Sequence, residues 1–142
     1  MGLDLHQALG FVRQHQRGVL VTLRGDGTPQ LSNIFYLVGD DDRVRISVTD
    51  SRAKTANLRR DPRASLHVTR EDFYAYVVLD GTVALTPVAT DPHDAVVDQL
   101  ADMYRTARGD HPDWEEFRQA MVSEGRVVAT LSVRHAYGML DT

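Results

Sequence analysis

The sequence predicts a small antiparallel β-barrel of the α+β class, mainly β, and three observations carry that prediction. About six β-forming runs follow one another through short turns, the helical stretches are short and sit in the crossovers, and the strand-helix alternation of a parallel sheet is missing. One domain, residues 1–142, is expected, because a 15.9 kDa chain that is 42% hydrophobic can supply a single core.

Leu5, Leu9 and Val12, widened by Ala8 and Phe11 behind Asp4 as an N-cap, predict a helix over residues 5–15. The β-rich run Gly18-Val19-Leu20-Val21-Thr22-Leu23-Arg24 ends at Gly25-Asp26-Gly27-Thr28-Pro29, whose glycines supply the positive φ of a tight turn. The return strand covers residues 30–38, and Gly39-Asp40-Asp41-Asp42 reverses the chain into Val44-Arg45-Ile46-Ser47-Val48. These three strands are expected to form a meander.

After Pro62, the alternation over residues 64–69 turns Leu66 and Val68 inward and Ser65, His67 and Thr69 outward. Residues 74–85 form one long strand in which Asp80-Gly81 predicts a bulge that bends it toward barrel closure. Asp91 as cap and Pro92 at the first helical position predict a helix with Val96, Val97, Leu100, Met103 and Tyr104 on its apolar side, ending near Gly109. Asp110 or Asp113 caps a second helix that includes Trp114, Phe117 and Met121 and stops at Gly125. Residues 127–133 close the sheet.

Composition removes several classes of function. A net charge of −4 and a pI near 5.8 argue against non-specific nucleic-acid binding, which needs a broad basic face. No apolar run approaches the roughly 20 residues of a membrane helix, and Met1-Gly2-Leu3-Asp4 lacks the basic and apolar blocks of a signal peptide, so a cytoplasmic protein is expected. The absence of cysteine excludes disulfides and thiolate catalysis. The histidines show no HxxxH or HExxH spacing, and no metal site is expected.

Chemistry concentrates in residues 51–63. Ser51 reads as an N-cap, Ala53, Ala56 and Leu58 favour helix, and Pro62 forces an exit. Five basic residues (Arg52, Lys54, Arg59, Arg60, Arg63) face one acid (Asp61) in this segment of an acidic chain. Basic residues on a helix are usually a solvated face, and Arg59, Arg60 and Arg63 at the C-terminal end agree with the helix dipole. Arg52 and Lys54 do not: cations in the first turn oppose the dipole, at a cost of a few tenths to about 1 kcal/mol. An external anion shared between them and the free N–H groups accounts for their position. Gln30, Ser32, Asn33 and Ser47 put amides and hydroxyls on strands next to this helix, suited to a heteroaromatic ring with carbonyl and N–H edges. Tyr74 and Tyr76, two apart, share a strand face and can stack on a flat ligand or pack.

Taken together, residues 18–23, 27–33, 51–64 and 80–83 resemble the pyridoxamine-phosphate-oxidase-like split-barrel flavoproteins. More narrowly they are similar to the F420-dependent branch, the flavin/deazaflavin oxidoreductases of the B group common in actinobacteria. The specific part is Arg52-Ala53-Lys54-Thr55-Ala56-Asn57-Leu58-Arg59-Arg60-Asp61-Pro62-Arg63; the glycine-turn hairpin is weaker. The similarity extends through Tyr104-Arg105, Trp114, Arg118-Gln119-Ala120-Met121 and His135-Ala136-Tyr137-Gly138.

The resemblance implies a split β-barrel of the FMN-binding type and a homodimer with two cofactor sites at the subunit interface. It implies that Arg52 and Lys54, with Ala53 between them, hold the phosphate of coenzyme F420 and the acidic tail beyond it, Arg59 lying along that tail. Gln30, Ser32, Asn33 and Ser47 would follow the deazaflavin ring and ribityl chain, with Tyr74 and Tyr76 approaching from the partner subunit. The Tyr74 position carries tryptophan in some members of that branch, a difference that bears on substrate choice. The implied reaction passes a hydride from reduced deazaflavin to an electron-poor conjugated C=C or C=O of a small molecule. Tyr36, Tyr76 and His135 are the candidate proton donors, with solvent as the alternative. The rival expectations are an FMN-dependent oxidase or reductase of the same fold and a non-catalytic protein that sequesters F420.

Overall fold

A computed structural model describes residues 2–140. The chain runs α1 (Leu5–Arg13), β1 (Arg17–Leu23), β2 (Pro29–Phe35), β3 (Leu37–Val38), β4 (Val44–Thr49), α2 (Ala53–Arg60), β5 (Arg63–Thr69), β6 (Tyr76–Leu85), α3 (Ala95–Arg108), α4 (Trp114–Ser123) and β7 (Arg126–Met139). The seven strands form one antiparallel sheet in the order β2-β1-β5-β6-β7-β4-β3.

That order explains the curl. β2 and β3 are separated in sequence by Tyr36 alone, yet they occupy the two opposite edges of the sheet. The sheet is therefore bent until its edges approach, giving a curled half-barrel of α+β class. The strand expected over residues 30–38 is consequently two strands: its first part pairs with β1 and its last with β4. The expected meander is corrected on the same ground, since β4 pairs with β3 and β7 and not with β2.

Strand alternation fills the barrel. Leu20, Val44, Ile46, Val48, Leu66, Val68, Val77, Leu79, Val127 and Leu131 point inward and are almost fully buried. Helix α1, capped by Asp4 as expected, adds Ala8, Leu9 and Val12 to this core. At the bend in β6 the register shifts between Asp80 and Gly81. A Cβ on Gly81 would lie 2.0 Å from the Ser132 carbonyl oxygen, so only glycine lets β7 approach there.

A second core sits on the outside of the sheet. Val128 of β7, pointing opposite to Val127 and Ala129, packs against Val96, Val97, Leu100 and Ala101 of α3 and Phe117 of α4. The cap of α3 is Asp94, not Asp91: the Asp94 carboxylate accepts from the Val97 N–H at 2.9 Å and from the Thr90 and Asp91 N–H groups, which places Pro92 before the helix. Asp113 caps α4 through the Glu116 N–H. Among the described residues, no helix is long and apolar enough to cross a membrane.

Candidate functional site

The alternation that buries Val44, Ile46 and Val48 turns Arg45, Ser47 and Thr49 of β4 to the outer face, and α3 and α4 stand over that face without sealing it. The space left is a cavity of about 730 Å³, within the range of small-molecule sites. Its floor is Arg45, Ser47, Thr49 and Arg126. Residues 33–37, at the seam between the two sheet edges, form one side, and the start of α2 closes one end.

Helix α2 begins one residue later than the sequence suggested. The Arg52 N–H bonds to the Thr49 carbonyl at 3.1 Å, so Asp50 and Ser51 form a turn and Arg52 takes the N-cap position. Arg52 makes no side-chain cap bond and its carbonyl takes the Thr55 N–H at 3.1 Å, which leaves the Ala53 and Lys54 N–H groups open to an acceptor from outside the chain. The exit is as expected, through Asp61 and Pro62.

A polar network fixes α2 on the barrel. Buried Asn57 donates through Nδ2 to Thr22 Oγ1 at 3.1 Å and to Gln30 Oε1 at 2.9 Å, and its Oδ1 accepts from Arg60 at 2.9 Å. Arg60 also donates to the Leu23 carbonyl at 2.8 Å.

The basic residues of this segment divide by partner. Arg59 pairs with Asp50 at 2.5 Å and Arg63 with Asp61 at 2.8 Å. Arg52 and Lys54 have no carboxylate partner among the described residues and line the cavity. Burial pushes the Lys54 ammonium below its usual pKa, and the charges of Arg52 and Arg126 push in the same direction. The wider lining is more telling. Arg45, Arg52, Lys54, Arg108 and Arg126 are all present and none of the lining residues is acidic, although Arg45 is paired with Asp41 at 2.6 Å and Arg126 with Glu124 at 2.8 Å just outside the lining.

Of the residues singled out in the sequence, Asn33, Tyr36, Ser47, Arg52 and Lys54 meet in this cavity, with Ala53 exposed at the start of α2. Gln30 lies elsewhere, its side-chain oxygen taken by Asn57, and Ser32 shares the Gln30 face of β2. Arg59 faces Asp50, away from the cavity. Tyr36 is buried and donates its hydroxyl to the Val12 carbonyl at 2.7 Å, and burial raises its pKa well above the usual phenol value. Tyr74 is 76% exposed in the turn before β6, while Tyr76 packs beside His67 on the outer sheet face. His135 lies on that face too, with Nδ1 3.2 Å from the Asp80 carboxylate.

Arg45, Arg108 and Arg126 were not singled out in the sequence, and the apolar residues of α3 and α4 were read there as helix and not as the wall of a site. The outward alternation of β4 was the available signal for Arg45, and the recurrence of Leu100, Met103, Tyr104 and Ala107 for the wall; nothing local marks Arg108 or Arg126.

A conserved hypothetical protein of Mycobacterium tuberculosis, Rv2991, superposes with a TM-score of 0.73 at 22% identity, over 96% of this chain and 84% of its own. An F420 reductase superposes with a TM-score of 0.61 at 25% identity, over 86% of this chain and 89% of its own. General Stress Protein 26 of Bacillus anthracis gives 0.63 at 15% identity, over 96% and 95%. Residues 5–139 match the family model described as pyridoxamine 5'-phosphate oxidase. A match of that extent, on a curled antiparallel sheet whose edges meet at Tyr36, means that the chain belongs to the pyridoxamine 5'-phosphate oxidase family.

Proposed function

We propose that the protein is an F420H2-dependent reductase of a small molecule with an electron-poor conjugated C=C or C=O. The family is oxidoreductase-like and its members bind flavin-type cofactors. The observation that carries the narrower reading is the cationic end of the cavity, where Arg52 and Lys54 have no carboxylate partner among the described residues and stand beside a helix start without a side-chain cap. A phosphate with an acidic tail fits that end better than a neutral ligand does, and the likeness to an F420 reductase supports the same choice.

In this reading Arg52 and Lys54 grip the phosphate through charge-assisted hydrogen bonds, and the open N–H groups of Ala53 and Lys54 complete its shell. Asn33 and Ser47 reach the ring and the polyol chain. The reduced deazaflavin, when bound, supplies the hydride, and a proton from solvent completes the two-electron reduction. Tyr36 orders the seam and donates no proton, because its hydroxyl is held by the Val12 carbonyl. Helices α3 and α4 exclude water from one side of the cavity.

The other side would be closed by a second copy. Leu31, Phe35, Tyr137 and Met139 are exposed apolar residues on the strands, and Phe73 and Tyr74 project from the turn before β6. Phe73 holds a positive φ of 68°, a strained state for a bulky residue. A homodimer that covers these groups would bring Tyr74, with Tyr76 behind it, toward the partner's cavity.

An FMN-dependent reaction is the second reading, favoured by the family and by the phosphate that FMN shares. Calorimetric titration of the purified protein with F420 and with FMN, followed by F420H2 oxidation with enones and quinones, tests the proposal. Tighter binding of F420 together with turnover is expected. Stoichiometric FMN in the purified protein, or tight F420 binding with no turnover on any acceptor, sinks it.

A further inference from the structure

The side of the cavity opposite the sheet is built differently from the cationic end. Leu100, Met103, Tyr104 and Ala107 recur at the i, i+3, i+4 and i+7 positions of α3, and Phe117 and Met121 at i and i+4 of α4, so one face of each helix meets the cavity. Leu100 and Phe117 are buried anchors. The ring of Tyr104 is held edge-on by Trp114 at 5.8 Å and tilted against Phe117 at 5.2 Å, and Arg105 stacks over Trp114 at 4.5 Å. The result is a flat apolar wall stiffened from behind.

The basic residues around this wall are committed, with one exception. Arg105 meets Asp102 and Asp110, Arg118 meets Asp98, and Arg126 meets Glu124. Arg108, in the last turn of α3, lines the cavity with no carboxylate partner among the described residues. The helix dipole makes a cation welcome at that end, but it does not account for one at the rim of an apolar wall, in a helix pair that otherwise pairs its cations.

We propose that this wall is the acceptor subsite, and that the acceptor is a flat, apolar, conjugated molecule bearing a single anionic group such as a carboxylate, which Arg108 reads. The assignment rests on the reductase reading for the subsite's purpose, while its ligand chemistry comes from the wall and Arg108. Arg52 and Lys54 serve the cofactor phosphate, so the two anions are held at separate places.

The probes are 8-anilinonaphthalene-1-sulfonate and its uncharged parent N-phenyl-1-naphthylamine, added to the purified cofactor-free protein. Trp114 is the sole tryptophan and touches Tyr104, so quenching of its fluorescence reports occupancy of the wall. One-to-one binding is expected, with the sulfonate at least tenfold tighter than the neutral probe. Arg108→Gln should erase that preference while leaving the neutral probe's affinity within twofold, and the Arg52→Ala/Lys54→Ala variant should keep it. Met121→Asp, with an unchanged circular dichroism spectrum, should weaken both probes.

The proposal is overturned if the neutral probe binds as tightly as the sulfonate, if the preference follows Arg52 and Lys54 instead of Arg108, or if binding is multi-site with Trp114 silent. The two readings fail separately. Loss of F420 binding with the probe pattern intact removes the reductase reading alone, and tight F420 binding with no effect of Arg108→Gln removes the subsite alone.

Discussion

Asn57 Nδ2 lies 2.9 Å from Gln30 Oε1, so a buried amide on α2 is hydrogen-bonded to an amide on the edge strand β2. The same nitrogen reaches Thr22, and the three residues fix the height and rotation of the helix whose first turn carries Arg52 and Lys54. Asn57 is in this sense a positioning residue: it does not line the cavity, but it holds the helix that carries the cationic end.

Replacing Asn57 by Ala leaves Thr22 and Gln30 without that donor and should lower stability by about 1–3 kcal/mol. For a chain of this size that corresponds to a fall in melting temperature of roughly 3–10 °C, read by differential scanning calorimetry. An unchanged melt would show that water replaces the network at no cost.

Arg52→Ala and Lys54→Ala should each weaken F420 binding by about 1.5–3 kcal/mol, the scale of a lost charge-assisted contact, with the melt of the free protein nearly unmoved. Neither side chain has a carboxylate partner among the described residues, so little folded-state interaction is removed. Isothermal titration calorimetry decides it, and an unaltered dissociation constant denies both residues the anchor role.

The depressed pKa of Lys54 fixes a pH dependence with a definite sign. Between its folded value and 10.5 the unfolded chain carries a proton that the folded chain lacks, so this group makes stability rise with pH across that window. F420 affinity should fall across the same window, because the free protein loses the ammonium that binding requires. Urea unfolding and F420 titration from pH 8 to pH 10.5, on wild type and Lys54→Met, test both slopes; parallel curves for the two proteins would contradict the assignment.

Tyr36→Phe removes a buried hydrogen bond to Val12 and should cost about 0.5–1.5 kcal/mol of stability. F420H2 turnover should persist within a few-fold, since the hydroxyl faces the α1 carbonyl. A loss of several hundredfold in kcat at unchanged KM would restore Tyr36 as a proton donor.

Gly81→Ala should destabilise by about 1–3 kcal/mol or more, because the added Cβ would meet the Ser132 carbonyl oxygen at 2.0 Å and β6 or β7 must shift. Chemical denaturation measures it, and a neutral result would show that the bulge relaxes freely.

Local signals were the legible part of the fold. The Asp4 cap, the alternation of Leu66 and Val68, the bulge at Asp80-Gly81 and the exit at Pro62 depend on neighbours in the chain, and a sequence displays neighbours. The break at Tyr36 left no such mark, because one residue between two strands changes neither composition nor periodicity. The pairing of β4 with β7 joins segments about eighty residues apart, as in Ser47 with Val128, and no local pattern encodes it. In the candidate site, the conflict of Arg52 and Lys54 with the helix dipole was readable. The role of Gln30 was not, since an amide on a strand looks the same whether it turns to a ligand or to Asn57. Arg45, Arg108 and Arg126 meet only once the sheet has curled and the helix pair has docked.

The seam at Tyr36 also divides the chain by how freely it can diverge. A linkage of one residue across both edges of a sheet has no slack, so an insertion there would pry the barrel open, and the side of the cavity that it forms is held to one length. The connection between α3 and α4, residues 109–113, lies largely exposed on the rim, where added residues cost little beyond loop entropy. Under the proposed function, descendants of this chain could exchange one acceptor for another by altering the helix pair, while the cationic end beside the seam stays inherited.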